Sequence, residues 1–174
     1  MKVYIYNSKQ CGFQMSIPDT WSELLTSDSH QTNSSGKKTD SRTLVGSDGK
    51  YLNVLITPLL ETEHEPTVDE TNEYFDGLSY RQNLNVIATG SINIANKQHF
   101  CATYYRGFLL SLATGGQMQF IKKYCIYLNR VEYLFTAGLY NVSAGEKTPT
   151  DQDLEESEKV FDEMVLSLEL LSSQ

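Results

Sequence analysis

The 174-residue sequence is poor in cysteine, and the spacing of its few cysteines excludes two common classes of small protein. Only three are present, Cys11, Cys101 and Cys125, and no two of them form a Cys-x-x-Cys pair. An odd number of widely separated cysteines argues against a disulfide framework and against a zinc knuckle. We therefore predict three reduced and mostly buried thiols.

Positive charge is also scarce. Lysine and arginine together number 14 against 22 aspartate and glutamate residues, which leaves a net charge of -8. Such a chain repels phosphate backbones and anionic lipid surfaces. We therefore do not expect nucleic acid as a partner.

Long apolar runs are missing as well. No stretch approaches the roughly 18 consecutive apolar residues that suggest a membrane-spanning helix. The opening segment "MKVYIYNSKQ" has no basic segment followed by an apolar run of the secretory type. These features predict a cytoplasmic protein without membrane insertion, and the length fits one domain over residues 1–174.

Histidine and cysteine come close together at one place in the sequence. His99 and Cys101 lie two residues apart on one face of a predicted strand, and Cys125 lies on a candidate neighbouring strand. Zinc requires four ligands, however, and only these three soft donors are present. We therefore predict buried thiols and an ordinary histidine, with no metal site and no catalytic thiol.

The acidic segment "ETEHE" is the second candidate for a metal site. It offers four possible oxygen and nitrogen ligands, which are Glu61, Glu63, His64 and Glu65. Because it lacks the ligand spacing and the glycine of an EF-hand, we predict a solvated acidic loop. We assign no catalytic, cofactor-binding or metal-binding residue, and predict that the protein is not an enzyme.

What the sequence does contain is a series of strand patterns. Residues Val3–Tyr6 and Phe13–Ile17 are predicted as strands, and Tyr51 to Thr57 as a central strand that follows an Asp48-Gly49 turn. From Val86 to Tyr140 further strands follow one another across short turns, without room for crossover helices. The pattern predicts an antiparallel meander and excludes a doubly wound nucleotide-binding fold.

Two helices are predicted from their start signals. Thr67 and Glu70 match a capping box, and Thr150 is an N-cap followed by acidic residues in the first turn. The segment "LSLEL" after the second helix fits either its continuation or a short strand. Between the second strand and the hairpin, residues 26–42 are polar and aperiodic, which predicts a flexible loop.

The only tryptophan lies directly after a strand. In "GFQMSIPDTW" the proline at position 18 ends the strand, so the chain is expected to leave the sheet and form a short helical turn through "WSELL". We predict that Trp21 closes the end of the hydrophobic core. Stacking on a ligand is the alternative.

This order of elements resembles the PsbP-like proteins. That group includes the photosystem II extrinsic subunit, bacterial DcrB-type proteins, a Ran-binding nuclear import factor and chaperones of type VI secretion effectors. The most motif-like residues are Gly12-Phe13, Ile17-Pro18 and Trp21, followed by the strand "YLNVLITP", the helix capped at Thr67, the meander and the acidic last helix. The resemblance implies an α+β fold, an antiparallel sheet between helical layers (an α/β/α sandwich), and a non-enzymatic role in binding proteins or assembling complexes.

Two functional hypotheses follow. Of the 22 acidic residues, 15 lie in the two segments 61–76 and 151–169, so the helices are acidic while Arg106, Lys122, Lys123 and Arg130 lie on strands and turns. One interpretation is that these charges only keep the helix surfaces soluble. The other is that they bind a basic protein partner, and that the protein is an assembly, chaperone or adaptor module. The alternative is a small-ligand-binding protein or enzyme whose pocket is lined by tyrosines such as Tyr104, Tyr105, Tyr124 and Tyr127.

Overall fold

Strand pairing divides the fold into two antiparallel sheets, to which two helices are added. The structure is a computed structural model that describes residues 1–9, 11–24, 31–32, 37–46, 49–108, 117–143 and 145–171. Its elements in chain order are β1 (Lys2–Tyr6), β2 (Phe13–Ile17), β3 (Ser22–Glu23), β4 (Gln31–Thr32), β5 (Lys38–Val45), β6 (Tyr51–Pro58), α1 (Val68–Gln82), β7 (Asn85–Ile94), β8 (Lys97–Phe108), β9 (Gln117–Leu128), β10 (Val131–Ser143), α2 (Asp151–Leu166) and β11 (Glu169–Leu170).

The large sheet has the order β3-β5-β6-β10-β9-β8-β7, and β4 pairs with β5. The predicted meander forms its second half, where β7, β8, β9 and β10 pair in sequence and antiparallel. Two-residue turns at Ala95-Asn96 and Asn129-Arg130 have positive φ at both positions, which matches the right-handed twist of hairpin strands. Strand β6 is central, as predicted. Gly49 of the predicted turn before it has a φ of 81°, whereas Asp48 lies outside the described residues.

Helices cover both faces of the large sheet, so the predicted sandwich is confirmed. Helix α2 and strand β2 pack on the face that carries Tyr133 and Phe135 of β10. Helix α1 packs on the opposite face, where Phe75 contacts the rings of Phe100 and Tyr104. No helix within the described residues is both long and apolar enough to cross a bilayer.

The first strands form a sheet of their own, which the sequence did not predict. Strands β1, β2 and β11 pair in the order β1-β2-β11, and β2 places Phe13, Met15 and Ile17 in the core. The "LSLEL" segment therefore ends as a strand, because Glu169 and Leu170 pair with Gln14 and Phe13.

Two local predictions need correction. The segment after Trp21 is not a helical turn: the Trp21 amide bonds to the Pro18 carbonyl in a tight turn, and Ser22 and Glu23 then pair with β5. Part of the predicted loop 26–42 is also strand, because β5 begins at Lys38 and its pairing to β6 satisfies the backbone from Asp40 onward. Positions 26–30 and 33–36 of that segment lie outside the described residues.

Both predicted helix starts are present in full. The hydroxyl of Thr67 accepts from the Glu70 amide while the Glu70 carboxylate accepts from the Thr67 amide. Thr150 and Asp153 form the same reciprocal pair at the start of α2. Each box satisfies backbone groups that a helix start leaves without partners, and the carboxylates lie at the positive end of the helix dipole.

Candidate interaction surface

The exposed side of α2 carries three exposed glutamates around Lys159. The helix buries Phe161, Met164 and Val165 against the sheet and exposes the side chains of Glu155, Glu156 and Glu163. None of these three glutamates forms an ion pair with any described residue. We call them the acidic face of α2.

Two other acids of α2 turn inward and attach the helix to the sheet. The ammonium of Lys122, whose side chain is only 10% exposed, lies 2.9 Å from Oδ1 of Asp162, and the Tyr124 hydroxyl donates to the same oxygen at 2.7 Å. Glu158 accepts a hydrogen bond from the Thr103 hydroxyl and lies 3.9 Å from the Lys122 ammonium. These two carboxylates are therefore structural, and Lys122 is not the surface charge that its sequence position indicated.

In the other acidic segment, residues 61–76, three of the seven carboxylates make internal contacts. Glu63 accepts from Lys37 at 2.6 Å, and this contact, with the Leu60 amide, lowers the pKa of its carboxyl. The Glu65 carboxylate accepts hydrogen bonds from the Lys97 ammonium at 2.6 Å and from the Arg130 backbone amide at 2.7 Å. Glu70 serves the capping box and also contacts His64. The segment ties the loop before α1 to the sheet instead of presenting ligands to a cation.

The histidine and thiols of the first candidate site point in different directions. His99 and Cys101 lie on the α2 side of β8, whereas Cys125 pairs with Phe100 and so lies on the α1 side of the sheet. The described residues contain no group of three His, Cys, Asp or Glu side chains able to hold a metal. The three thiols are unpaired, and burial raises the pKa of Cys125 to about 12, which keeps it a neutral thiol at physiological pH.

His99 is a structural residue. Its Nδ1 accepts from the Tyr127 amide at 3.2 Å, just beyond the last paired residues of β8 and β9, Phe100 and Cys125. Burial, and then the charge of Lys97, lowers the pKa of the imidazole. The neutral imidazole thus accepts the hydrogen bond of the Tyr127 amide in β9, in the place of a backbone carbonyl of β8.

The four predicted pocket tyrosines do not surround one cavity. Tyr104 and Tyr127 lie on the α1 side of the sheet and Tyr105 and Tyr124 on the α2 side, and all except the half-buried Tyr105 are core residues. One of them reaches a cleft: Tyr127 lines an open space of about 380 Å³ beside the start of α1, together with His64, Pro66, Glu70, Thr71, Tyr74 and Glu132. Its hydroxyl donates to Glu132 at 2.8 Å.

The burial of several tyrosines predicts that the folded protein loses stability in alkali. Burial raises the pKa of Tyr104 to about 12 and that of Tyr124 and Tyr127 further, the last two also through the carboxylates they bond. The ordinary value is about 10, so the folded state favours the neutral phenols, and this stability is complete below about pH 10 and is lost as pH rises through the folded-state values.

We expect the free energy of unfolding to be level between about pH 7 and 8, to begin to fall near pH 9, where the thiols of Cys101 and Cys125 ionise in the unfolded chain but not in the folded protein, and to fall further from about pH 10, where the tyrosines do the same. Urea unfolding at each pH, with tyrosinate absorbance recorded in parallel, measures this. Tyr104→Phe is the comparison variant, since it removes one ionisable group and should flatten the alkaline decline. A stability that stays level to pH 11 would contradict the expectation.

The fold is known from solved structures. The solution structure of cyanobacterial PsbP (CyanoP) from Synechocystis sp. PCC 6803 matches with a TM-score of 0.61 and 9% sequence identity, over 97% of this chain and 92% of that one. A crystal structure from Bacteroides thetaiotaomicron VPI-5482 matches with a TM-score of 0.55 and 12% identity, over 98% of this chain and 48% of that one. Comparison with protein-family models gives no match, and neither does comparison with curated proteins.

The chain therefore has the PsbP-like fold that the sequence resemblance implied. Identities of 9% and 12% carry the fold and no residue-level function, because one fold can support many unrelated functions. The function has to be argued from the surfaces of this chain.

Proposed function

We propose that this protein is a non-enzymatic module that binds a basic protein partner through the acidic face of α2, in an assembly, chaperone or adaptor role in the cytoplasm. The observation that carries the proposal is the group of three exposed glutamates on one side of α2. Glu155, Glu156 and Glu163 lie on the same side of the helix and form no ion pair with any described residue. Lys159 is exposed among them and offsets one of the three charges, so the group remains net negative.

Electrostatics gives this surface a defined role in binding. Exposed like charges on one helix face attract a partner of opposite charge before contact, which raises the association rate more than the final affinity. The resemblance to the PsbP-like proteins supports binding rather than catalysis. The three unpaired thiols support a reducing compartment.

Reversing the acidic face is expected to slow association. In the triple variant Glu155→Lys, Glu156→Lys and Glu163→Lys, the association rate should fall at least about tenfold at low salt and lose most of its salt dependence. Glu158 is left unchanged because it bonds Thr103. The partner is obtained by affinity purification of the tagged protein from its own cells, and the rates are measured at two ionic strengths.

A matched variant separates this surface from net charge. Glu61→Lys, Glu73→Lys and Asp76→Lys change the charge by the same amount at exposed positions of the other acidic segment, on the α1 side of the sheet. Association should then change by less than about threefold. Equal slowing by both triple variants would leave only a net-charge effect and remove the acidic face from the mechanism.

A small-ligand site is the second candidate, and the cleft beside α1 favours it. Its wall combines Tyr74 and Pro66 with the polar groups of His64 and Glu132. A ligand screen followed by thermal unfolding, with Tyr74→Ala as the variant, tests this candidate. Ligand stabilisation that the variant abolishes would favour this function.

A further inference from the structure

Strand β7 leaves a long edge of the large sheet open. It pairs with β8 on one side, and no described strand pairs with the other. Its first seven residues, 85–91, are all exposed, and no backbone hydrogen bond from a described turn or loop reaches residues 85–94. An exposed edge of this kind presents a row of unpaired N–H and C=O groups to solvent.

The sequence of this edge carries few of the usual features that prevent pairing. The ten residues "NVIATGSINI" contain no charged residue and no proline. A bulge interrupts the register between Val86 and Ala88, but pairing from Ala88 to Ile94 is continuous. The opposite edge differs, because short strands β3 and β4 lie against β5, which itself carries Lys38, Asp40 and Arg42. Natural sheet edges are usually protected by such short strands and charges. Strand β7 differs from them because its edge is long and carries no charge.

The bulge also builds a small cleft between β7 and α2. Because Ile87 is the extra residue, Ile87 and Ala88 both lie opposite Thr103, on the side that faces α2. The resulting cleft of about 180 Å³ has Ile87, Ala88 and Leu154 as apolar lining and Asp151, Glu155 and Glu158 as acidic lining. It lies directly beside the open backbone edge.

We propose that β7 is a strand-addition site for an extended segment of the partner that alternates apolar and basic residues along one face. This inference rests on the proposed function and specifies how the partner is held. The partner backbone bonds the open edge of β7, since main-chain hydrogen bonds supply affinity in strand addition. Its side chains on the α2 side place an apolar group over Ile87 and Ala88 and basic groups against Asp151 and Glu155.

Charge argues against a second copy of this chain as the occupant. Pairing two β7 edges would bring the carboxylates of Asp151 and Glu155 of each copy toward those of the other, between chains that each carry a net charge of -8. Like charges at an interface oppose association. A basic segment neutralises the same carboxylates.

The test uses a synthetic peptide of sequence KTVTKTVTK with blocked termini and a fluorescent label. We expect a dissociation constant between about 10 and 300 µM by fluorescence anisotropy, and no binding of the peptide ETVTETVTE. Two further peptides carry backbone N-methyl groups on either the odd or the even residues. Only one edge of an added strand faces β7, so one N-methylated peptide should bind at least about tenfold more weakly while the other binds within about threefold of the parent.

A pair of protein variants tests the cleft. Ile87→Ser removes apolar lining at a side chain that is 50% exposed, and should weaken parent-peptide binding at least about threefold. Val86→Ser is its match on the same strand, 39% exposed and facing the α1 side, and should change binding by less than about twofold. Both side chains are exposed, so folding is checked by urea unfolding of each variant.

The following outcomes would contradict strand addition at β7 without contradicting the proposed function. Binding weaker than about 1 mM, or equal effects of the two N-methylation patterns, excludes strand addition by a basic segment. A concentration-dependent dimer that Ile87→Ser dissociates would assign the edge to a second copy. If the captured partner responds to reversal of the acidic face but not to Ile87→Ser, the proposed function stands and the β7 site falls.

Discussion

Trp21→Ala is expected to lower the free energy of unfolding by about 3–5 kcal/mol, the range observed for removing a large buried aromatic side chain. Trp21 is 4% exposed, although it lies in a turn outside regular strand or helix. Its ring meets that of Phe161 edge to face, with 5.7 Å between ring centroids. The tryptophan therefore joins the turn after β2 to α2, and its loss opens a cavity where helix and sheet meet.

Urea unfolding of the two proteins measures this effect, and Tyr80→Ala is a suitable comparison. Tyr80 is an aromatic residue of α1 that is 89% exposed, so its removal should change stability by less than about 0.5 kcal/mol. Trp21→Phe retains part of the contact with Phe161 and should have an intermediate effect. A loss below about 1 kcal/mol for Trp21→Ala would refute the anchoring role and return the indole to consideration as a binding group.

Asp162→Ala is expected to cost about 2–4 kcal/mol, because it leaves the buried ammonium of Lys122 without its closest counter-ion. Lys122 then keeps only Glu158, at 3.9 Å, and the Tyr124 hydroxyl loses its acceptor. The Asp162 side chain is itself 36% exposed, so we place the effect below the upper range for fully buried pairs.

A double-mutant cycle shows whether the buried charge is responsible. Lys122→Met leaves a carboxylate that water can reach and that still accepts from Tyr124, so we expect a smaller loss of about 1 kcal/mol. Combining the two changes removes both charges, and the double variant should be more stable than Asp162→Ala alone. Strict additivity would show that the pair does not interact. Glu156→Ala, at an exposed position of the same helix, is the comparison for changes in helix propensity.

Local signals in the sequence were sufficient for many elements. Thr67 with Glu70 and Thr150 with Asp153 start the two helices because capping requires residues only three positions apart. The short turns between β7 and β8 and between β9 and β10 determined antiparallel neighbours, since two-residue connections permit no other pairing. The same reasoning identified Trp21 as a core residue from its place after Pro18.

Sequence reasoning failed where a residue's role depends on a partner far along the chain. In the separate sheet of β1, β2 and β11, the pairing of β2 with β11 joins residues about 155 positions apart, such as Gln14 with Glu169, and no local pattern specifies that pairing. Asp162 and Lys122 are 40 positions apart, and each resembles an ordinary surface charge until helix and sheet pack together. Cys101 and Cys125 were placed near each other correctly, but the register puts them on opposite faces of the sheet.

The candidate surfaces divide in the same way. The sequence alone determined that the helices are acidic, because the acidic residues of α2 follow one another closely along the chain and this does not depend on the fold. Only the tertiary structure decided which of them remain available: Glu158 and Asp162 turn to the sheet, while Glu155, Glu156 and Glu163 face solvent. The run "NVIATGSINI", which has no charged residue, could be predicted as a strand from its sequence. Whether a strand is central or at an edge depends on which other strands pair with it, and contacts between distant parts of the chain decide that pairing.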